Sequence, residues 1–391
     1  MSGIALLSLA VLCLWSGVLL VFVRPLMARW REPVLRHPVL AIESDDWGAG
    51  PVRQAELLER LQALLRSVQD VEGRPAVMTL GVVMEVPDDS RIAADDAHHY
   101  HGLPLSAPVF EPVRKALSRG RAAGVFALQL HGQCHYWPAS LLAAARRDPA
   151  VRAWLTDPGP ARTEALPAPL QSRWVDAAVL PSRAHDAGAV RAAVAAEAAI
   201  YCDLFETPPA VAVATTFVWN EAVEAAWRAA GVETVITPGR RATCRDAAGE
   251  PGCVDRRMLA GEVSPQGLLY LVRDVYYEPA LGHRPARLVE GLATRARQGR
   301  ACLVETHRFN FLDQPETSLD LLEQGLRAAL ARCPDLRFLA PAELGRAMRQ
   351  HDPAWIETRF VRRLHAWRAR LAEIPRFARV ARLAGLGWVM A

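Results

Sequence analysis

Val39–Gly50, VLAIESDDWGAG, is the stretch on which the fold of this 391-residue chain turns. Four apolar residues run into Glu43, Ser44, Asp45 and Asp46, and Trp47 leads into a glycine-containing turn. The pattern reads as a buried strand whose C-terminal end carries two adjacent carboxylates. Parallel barrels place their reactive groups at strand ends of this kind. Neighbouring aspartates repel unless a cation or a shared proton relieves them, so the pair suggests a metal or an acid/base task. Taken alone, an Asp-Asp turn is more often a solvated turn or a helix cap.

Outward from this strand, short apolar runs alternate with helix-like stretches from Pro38 to Met348. Strands are expected at 39–44, 77–86, 125–130, 210–215, 233–237, 268–272, 301–305 and 336–339. Helices are expected at 53–68, 110–123, 187–205, 221–230, 286–298 and 319–331. Seven or eight such units over about 310 residues suit one α/β chain forming a (β/α) barrel. The longest insertion, near 148–182, is rich in Pro and Ala and reads as irregular surface structure.

Two further runs end in histidine. FALQLHGQCHYWP carries a strand into His131, with His135 four residues on, and a helical turn would bring both imidazoles to one side. With 11 histidines in the chain, that spacing alone is weak. ACLVETHRFNF ends a strand at Glu305, Thr306 and His307. A lone strand-end histidine is more often structural than acidic, but the order of the three sets would bring them to one barrel mouth.

From about Val39 to Phe311 this ordered set resembles the NodB-homology polysaccharide deacetylases, the fourth family of carbohydrate esterases. ESDDWG and ETHRFNF look like a divergent, WbmS-like branch. The resemblance implies a distorted (β/α) barrel, a divalent metal with zinc as the default, and an N-acetylated glycan as substrate. It implies Asp45 as catalytic base, Asp46, His131 and His135 as metal ligands, and His307 as general acid. One carboxylate and two imidazoles leave open positions on an ion for water and a carbonyl, which suits amide hydrolysis. The chain departs from the family at Trp47, where Gly is usual, and at Gly132, where Ser or Thr is usual. VAVATTFVWNEAV, which corresponds to the segment carrying the arginine that orients the base, has none; Arg273 and Asp274, after LLYLV, are the substitutes.

Trp47 and Trp219, with Arg273 and Asp274, are weaker candidates for substrate contacts. Trp137, Tyr276 and Tyr277 could stack on sugar rings, though core packing accounts for each as well. His98, His99 and His101 read as a solvated loop, and Cys134 as a buried small residue. Two other functions fit the same strands. A glycosidase would rely on Glu43 or Glu305 and need no metal. A catalytically silent carbohydrate-binding scaffold would account for the missing arginine.

A net charge of +4 with Lys115 as the only lysine gives no support for nucleic-acid binding. Gly3–Val23 is an uncharged apolar run, long enough as a helix to cross roughly 30 Å of hydrocarbon. It reads as a transmembrane anchor over residues 1–24, followed by a basic linker over 25–37, the catalytic barrel over 38–350 and a basic helical tail over 351–391. Arg24, Arg29, Arg31 and Arg36 follow the run and nothing basic precedes it. The positive-inside rule then places the body in the cytoplasm, with one span in a bacterial inner membrane. In the tail, Phe360, Leu364, Trp367, Leu371 and Ile374 share one helical face among eight arginines, suiting an anionic membrane surface or a helix packed on the barrel. Cys244 and Cys253 share a loop and would bridge only in an oxidising compartment.

Overall fold

Each expected apolar run becomes a strand in the computed structural model, which describes residues 3–157 and 162–387. The main sheet contains β1 (Val39–Gly48), β2 (Met78–Val83), β3 (Phe126–Leu130), β4 (Val211–Val213), β5 (Thr234–Thr237), β6 (Leu269–Val272), β7 (Val275–Tyr276), β8 (Ala301–His307) and β9 (Arg337–Phe338). All its pairings are parallel. The order is β6-β5-β4-β3-β2-β1-β8-β7, with β9 beside the first residues of β1. Helices cross between strands where expected, among them Gln54–Ser67, Glu111–Ala122, Ala187–Phe205, Glu221–Ala229, Pro285–Arg297 and Pro315–Arg332.

The chain itself closes the barrel. β6 and β7 lie at opposite ends of the strand order, yet only Arg273 and Asp274 separate them. So short a link spans at most about 10 Å, and the sheet has to curl until its ends meet. The Arg273 amide donates to the Thr237 carbonyl at 2.9 Å, and the Asp274 amide donates to that of Leu303 at 3.3 Å. Below this crossing β6 and β8 are not paired. The seam between Leu271, Val272, Ala301 and Leu303 holds a cavity of about 340 Å3.

Alternation along β1 sorts its side chains. Leu40 and Ile42 join the large core beneath the helices, whereas Val39 and Ala41 join the smaller core with Val213, Ile236, Leu271 and Leu303. Glu43 and Asp45 continue the second series.

Some expectations are corrected. The loop holding Cys244 and Cys253 is an antiparallel hairpin, Arg240–Arg245 with Pro251–Arg257, and the two cysteines form a disulfide. The apolar N-terminal run forms α1 (Gly3–Val21) and then bends by 65° into α2 (Val23–Arg31). No single described helix is long and apolar enough to cross a membrane, although the bent pair satisfies that measure together. The expected linker is not free: Leu35 N–H donates to the Gly299 carbonyl, and Glu32 makes a bidentate pair with Arg300. The tail breaks before Pro375 into two helices, Phe360–Leu371 and Pro375–Leu383. Its stripe is only half realised, since Leu371 is buried while Phe360 is 65% exposed. Leu371 and Phe377 pack with Val18 and Leu26, and Trp15 Nε1 donates to the Ala384 carbonyl. Not all tail arginines reach water. Arg370 is buried and donates to the carbonyls of Arg29, Glu32, Pro33 and Gln298.

Candidate active site

Ordinary alternation would send Asp45 and Asp46 to opposite faces of the sheet. A bulge prevents it. Ser44 pairs with Leu80 and Trp47 with Val82, so Asp45 and Asp46 together oppose the single residue Gly81. Asp46 adopts φ +75°, a conformation aspartate tolerates better than most residues, and both carboxylates line one cavity. Gly81 is the other half of the device: a Cβ there would lie within 2.3 Å of Asp45 Oδ1.

Asp46, His131 and His135 converge. The Nε2 atoms of His131 and His135 lie 3.4 and 3.3 Å from Asp46 Oδ1, and the three candidate ligand atoms sit within 4.8 Å of one another. All three side chains are buried. Despite those short separations, Asp46 Oδ1 has no hydrogen-bond partner of acceptable geometry among the described residues. A buried acceptor left open between two ring nitrogens fits a divalent cation. His131 Nδ1 donates to the Val213 carbonyl at 3.2 Å, which leaves Nε2 as the lone-pair nitrogen. Burial pushes the His135 imidazole down to about 4, the charge of Asp46 opposing it, and a neutral ring is the ligating form.

The two histidines meet through a loop rather than the helical turn expected from their spacing. Gly132, at φ +93°, turns the chain directly after His131. Arg173 holds the loop, donating through Nη1 to the carbonyls of Cys134 and Tyr136 and pairing with the buried Glu197 at 3.1 Å. A Cβ at position 132 would meet the Arg173 stem at 2.9 Å, which accounts for glycine there.

Asp45 has its arginine. Arg273 Nη1 lies 2.6 Å from Asp45 Oδ2 and Nη2 lies 3.1 Å from Oδ1, while Nε and Nη2 also reach Glu43 Oε2. Burial pushes the Asp45 carboxyl up, but the Arg273 charge, the His131 charge and the Arg273 hydrogen bonds together outweigh it and hold the group at about 2. Asp45 is therefore ionised at neutral pH, as a base must be. The arginine comes from the link that closes the barrel, far in sequence from the segment that lacks one. Its neighbour Asp274 faces the other way and pairs with Arg295 at 2.7 Å, lining the seam cavity; it makes no contact at the mouth.

His307 is Asp45's register partner on β8. Its Nδ1 lies 2.6 Å from Glu278 Oε1. Burial lowers the imidazole, but the Glu278 hydrogen bond and charge prevail and raise it to about 10, so it carries a proton at neutral pH. Glu278 also accepts from Thr306 and Asn310. Nothing in the run VYYEPA distinguishes Glu278, so it was not legible as a site residue.

Both tryptophan candidates are corrected. Trp47 is fully buried, donates to Ser44 Oγ at 2.8 Å and packs near Phe311. Trp219 is fully buried and donates to Glu224. Tyr277 is likewise buried, whereas Tyr276 lines the cavity. Trp137 stacks on His185, its ring centroid 4.0 Å away. His98 and His99 are exposed around Asp95, and Cys134 is buried.

No family model matches the chain, and no curated protein matches it by sequence. Among solved structures it is similar to a family 4 carbohydrate esterase from Streptomyces lividans, at 11% identity and TM-score 0.37, over 79% of this chain and 95% of that one. It is also similar to a peptidoglycan deacetylase, PdaC, from Bacillus subtilis, at 11% identity and TM-score 0.37, over 81% and 94%. Polysaccharide-modifying deacetylases thus stand among its structural neighbours. So does a 4-α-glucanotransferase from Thermococcus litoralis, at 10% identity and TM-score 0.39, over 79% of this chain and 40% of that one. What the site can do chemically follows from its own geometry.

Proposed function

We propose that the protein is a metal-dependent hydrolase that removes N-acetyl groups from a glycan or glycan precursor. The observation that carries this reading is that one cavity of about 310 Å3 gathers Asp46, His131 and His135 beside Asp45 and His307. A divalent ion held by those three ligands, zinc by default, supplies Lewis acidity to a carbonyl and acidity to water. Asp45, ionised and fixed by Arg273, accepts the proton of the attacking water. His307, kept charged by Glu278, delivers a proton to the departing amine nitrogen. The acyl C–N bond breaks, and acetate and an amino sugar leave.

The glycosidase reading finds less support. Glu43 is fully buried and bound to Arg273 and Gln129, outside the cavity, and Glu305, which lines the cavity, lies 3.5 Å from the same Arg273, so the two do not flank one sugar bond from opposite sides. The scaffold reading drew on a missing arginine, and Arg273 now stands at Asp45. The test is acetate release from an N-acetylglucosamine oligomer with and without chelation, together with metal analysis. Wild type should bind a divalent ion and lose activity on its removal. An occupancy unchanged in His131→Ala and His135→Ala would sink the proposed centre.

We place the protein at a bacterial inner membrane through α1, which exposes Leu6, Leu7, Leu9, Leu12 and Leu20 on an uncharged helix. The Cys244–Cys253 disulfide belongs to an oxidising compartment, which favours the catalytic body outside the cytoplasm, opposite to the side expected from the arginines. Arg29 has a structural use, pairing with Glu373, and Arg36 donates to the Pro353 carbonyl. A reporter fused after Arg36 should be active outside the cytoplasm; activity only inside restores the positive-inside orientation.

A further inference from the structure

We propose that Glu164 is the specificity-determining residue of this cavity, and that it selects N-acylated sugars that are neutral or carry a free amine over those bearing a carboxylate or phosphate. This rests on the deacylase reading above. Glu164 arrives on the long insertion, in the short turn Thr163–Ala165, and lines the same cavity as Asp45 and His307. Gln171, from the same insertion, lines it too.

The other carboxylates of the cavity are committed. Asp45 is clamped by Arg273, Asp46 belongs to the metal triad, and Glu305 lies 3.5 Å from Arg273 and 3.9 Å from His307. Glu164 differs. Its Oε1 lies 3.5 Å from Nη2 of the buried Arg308, while Oε2 is buried with no hydrogen-bond partner among the described residues. An open buried acceptor is unfavourable until a ligand or water supplies a donor, and a sugar hydroxyl or ammonium would do so. No lysine or arginine lines the cavity among the described residues. An anionic substituent beside Oε2 would meet the Glu164 carboxylate; Arg308 lies at its other oxygen, the His307 charge is held by Glu278, and the triad is taken up with the acyl group. The volume, near the lower end of the roughly 300–1,000 Å3 usual for ligand sites, suits one sugar residue at the reacting position.

Three oligomers of equal length test this: one fully N-acetylated, one partly deacetylated and one carrying uronate residues. Wild type should favour the first two in kcat/KM. Glu164→Gln should raise KM for the first two by about ten-fold and shrink their advantage over the third by about as much, the size of a charge-assisted hydrogen bond and a lost repulsion. Metal occupancy should not change, and Glu164→Asp should keep the preference. An active wild type whose preference survives Glu164→Gln overturns this proposal alone, as does loss of metal in that variant. A wild type that releases no acetate from any of the three overturns the deacylase reading and this one with it.

Discussion

Asp45→Asn is expected to keep its divalent metal while kcat falls by about 10²–10⁴-fold, the usual worth of a positioned general base. Asp46→Asn is expected to lose the metal. The two carboxylates are neighbours in sequence but not in role. Asp45 has both oxygens engaged by Arg273, whereas Asp46 presents Oδ1, without a hydrogen bond among the described residues, between two ring nitrogens. An amide at position 45 keeps size and shape but cannot take a proton. An amide at position 46 removes the anionic ligand from a site otherwise built of neutral imidazoles. Metal analysis beside single-turnover rates separates the outcomes; metal lost from the first variant and kept in the second would reverse the roles.

Arg273→Ala should be the most damaging single change outside the metal ligands. It leaves Glu43 and Asp45 buried without their shared cation, and breaking a buried ion pair in this way costs about 3–5 kcal/mol. The effect on Asp45 has a definite sign. Its folded value, about 2, lies below its unfolded value, so its stabilisation is complete above the unfolded value and is lost as pH falls through about 2. Without Arg273, burial is opposed mainly by the His131 and His307 charges, and the carboxyl rises from about 2. The acid limb of kcat/KM should then move toward neutrality, while metal occupancy at neutral pH persists. Arg273→Lys should recover part of the stability but not the two-pronged grip. Urea unfolding and a pH–rate profile give both readouts; an acid limb that stays in place would show that Arg273 does not govern Asp45.

The strand positions were legible because apolar runs bounded by helical stretches have few other uses; β3 stops where its run meets His131, whereas β1 continues past Glu43 to Gly48 and β8 past Glu305 to His307. The site was legible as far as residue type goes, since carboxylates and imidazoles at the ends of buried strands are costly without a task. Its support was not legible. Gly81, Arg173, Glu164 and Glu278 lie far in sequence from the groups they serve, and each looks like an ordinary residue of its segment. Trp47 and Trp219 misled for the converse reason: aromatic residues beside strand ends suit sugar stacking and core packing alike, and only burial distinguishes the two.

By itself, the sequence determined an alternating parallel fold, the order of its strands along the chain, and the five side chains proposed for the chemistry. Only the tertiary structure decided how they meet. A bulge opposite Gly81 turns Asp46 onto the same face as Asp45. The barrel closes through Arg273 and Asp274, which puts an arginine beside Asp45 and its neighbour outside. Bulge and closure depend on contacts between residues dozens to hundreds of positions apart, which local periodicity does not record.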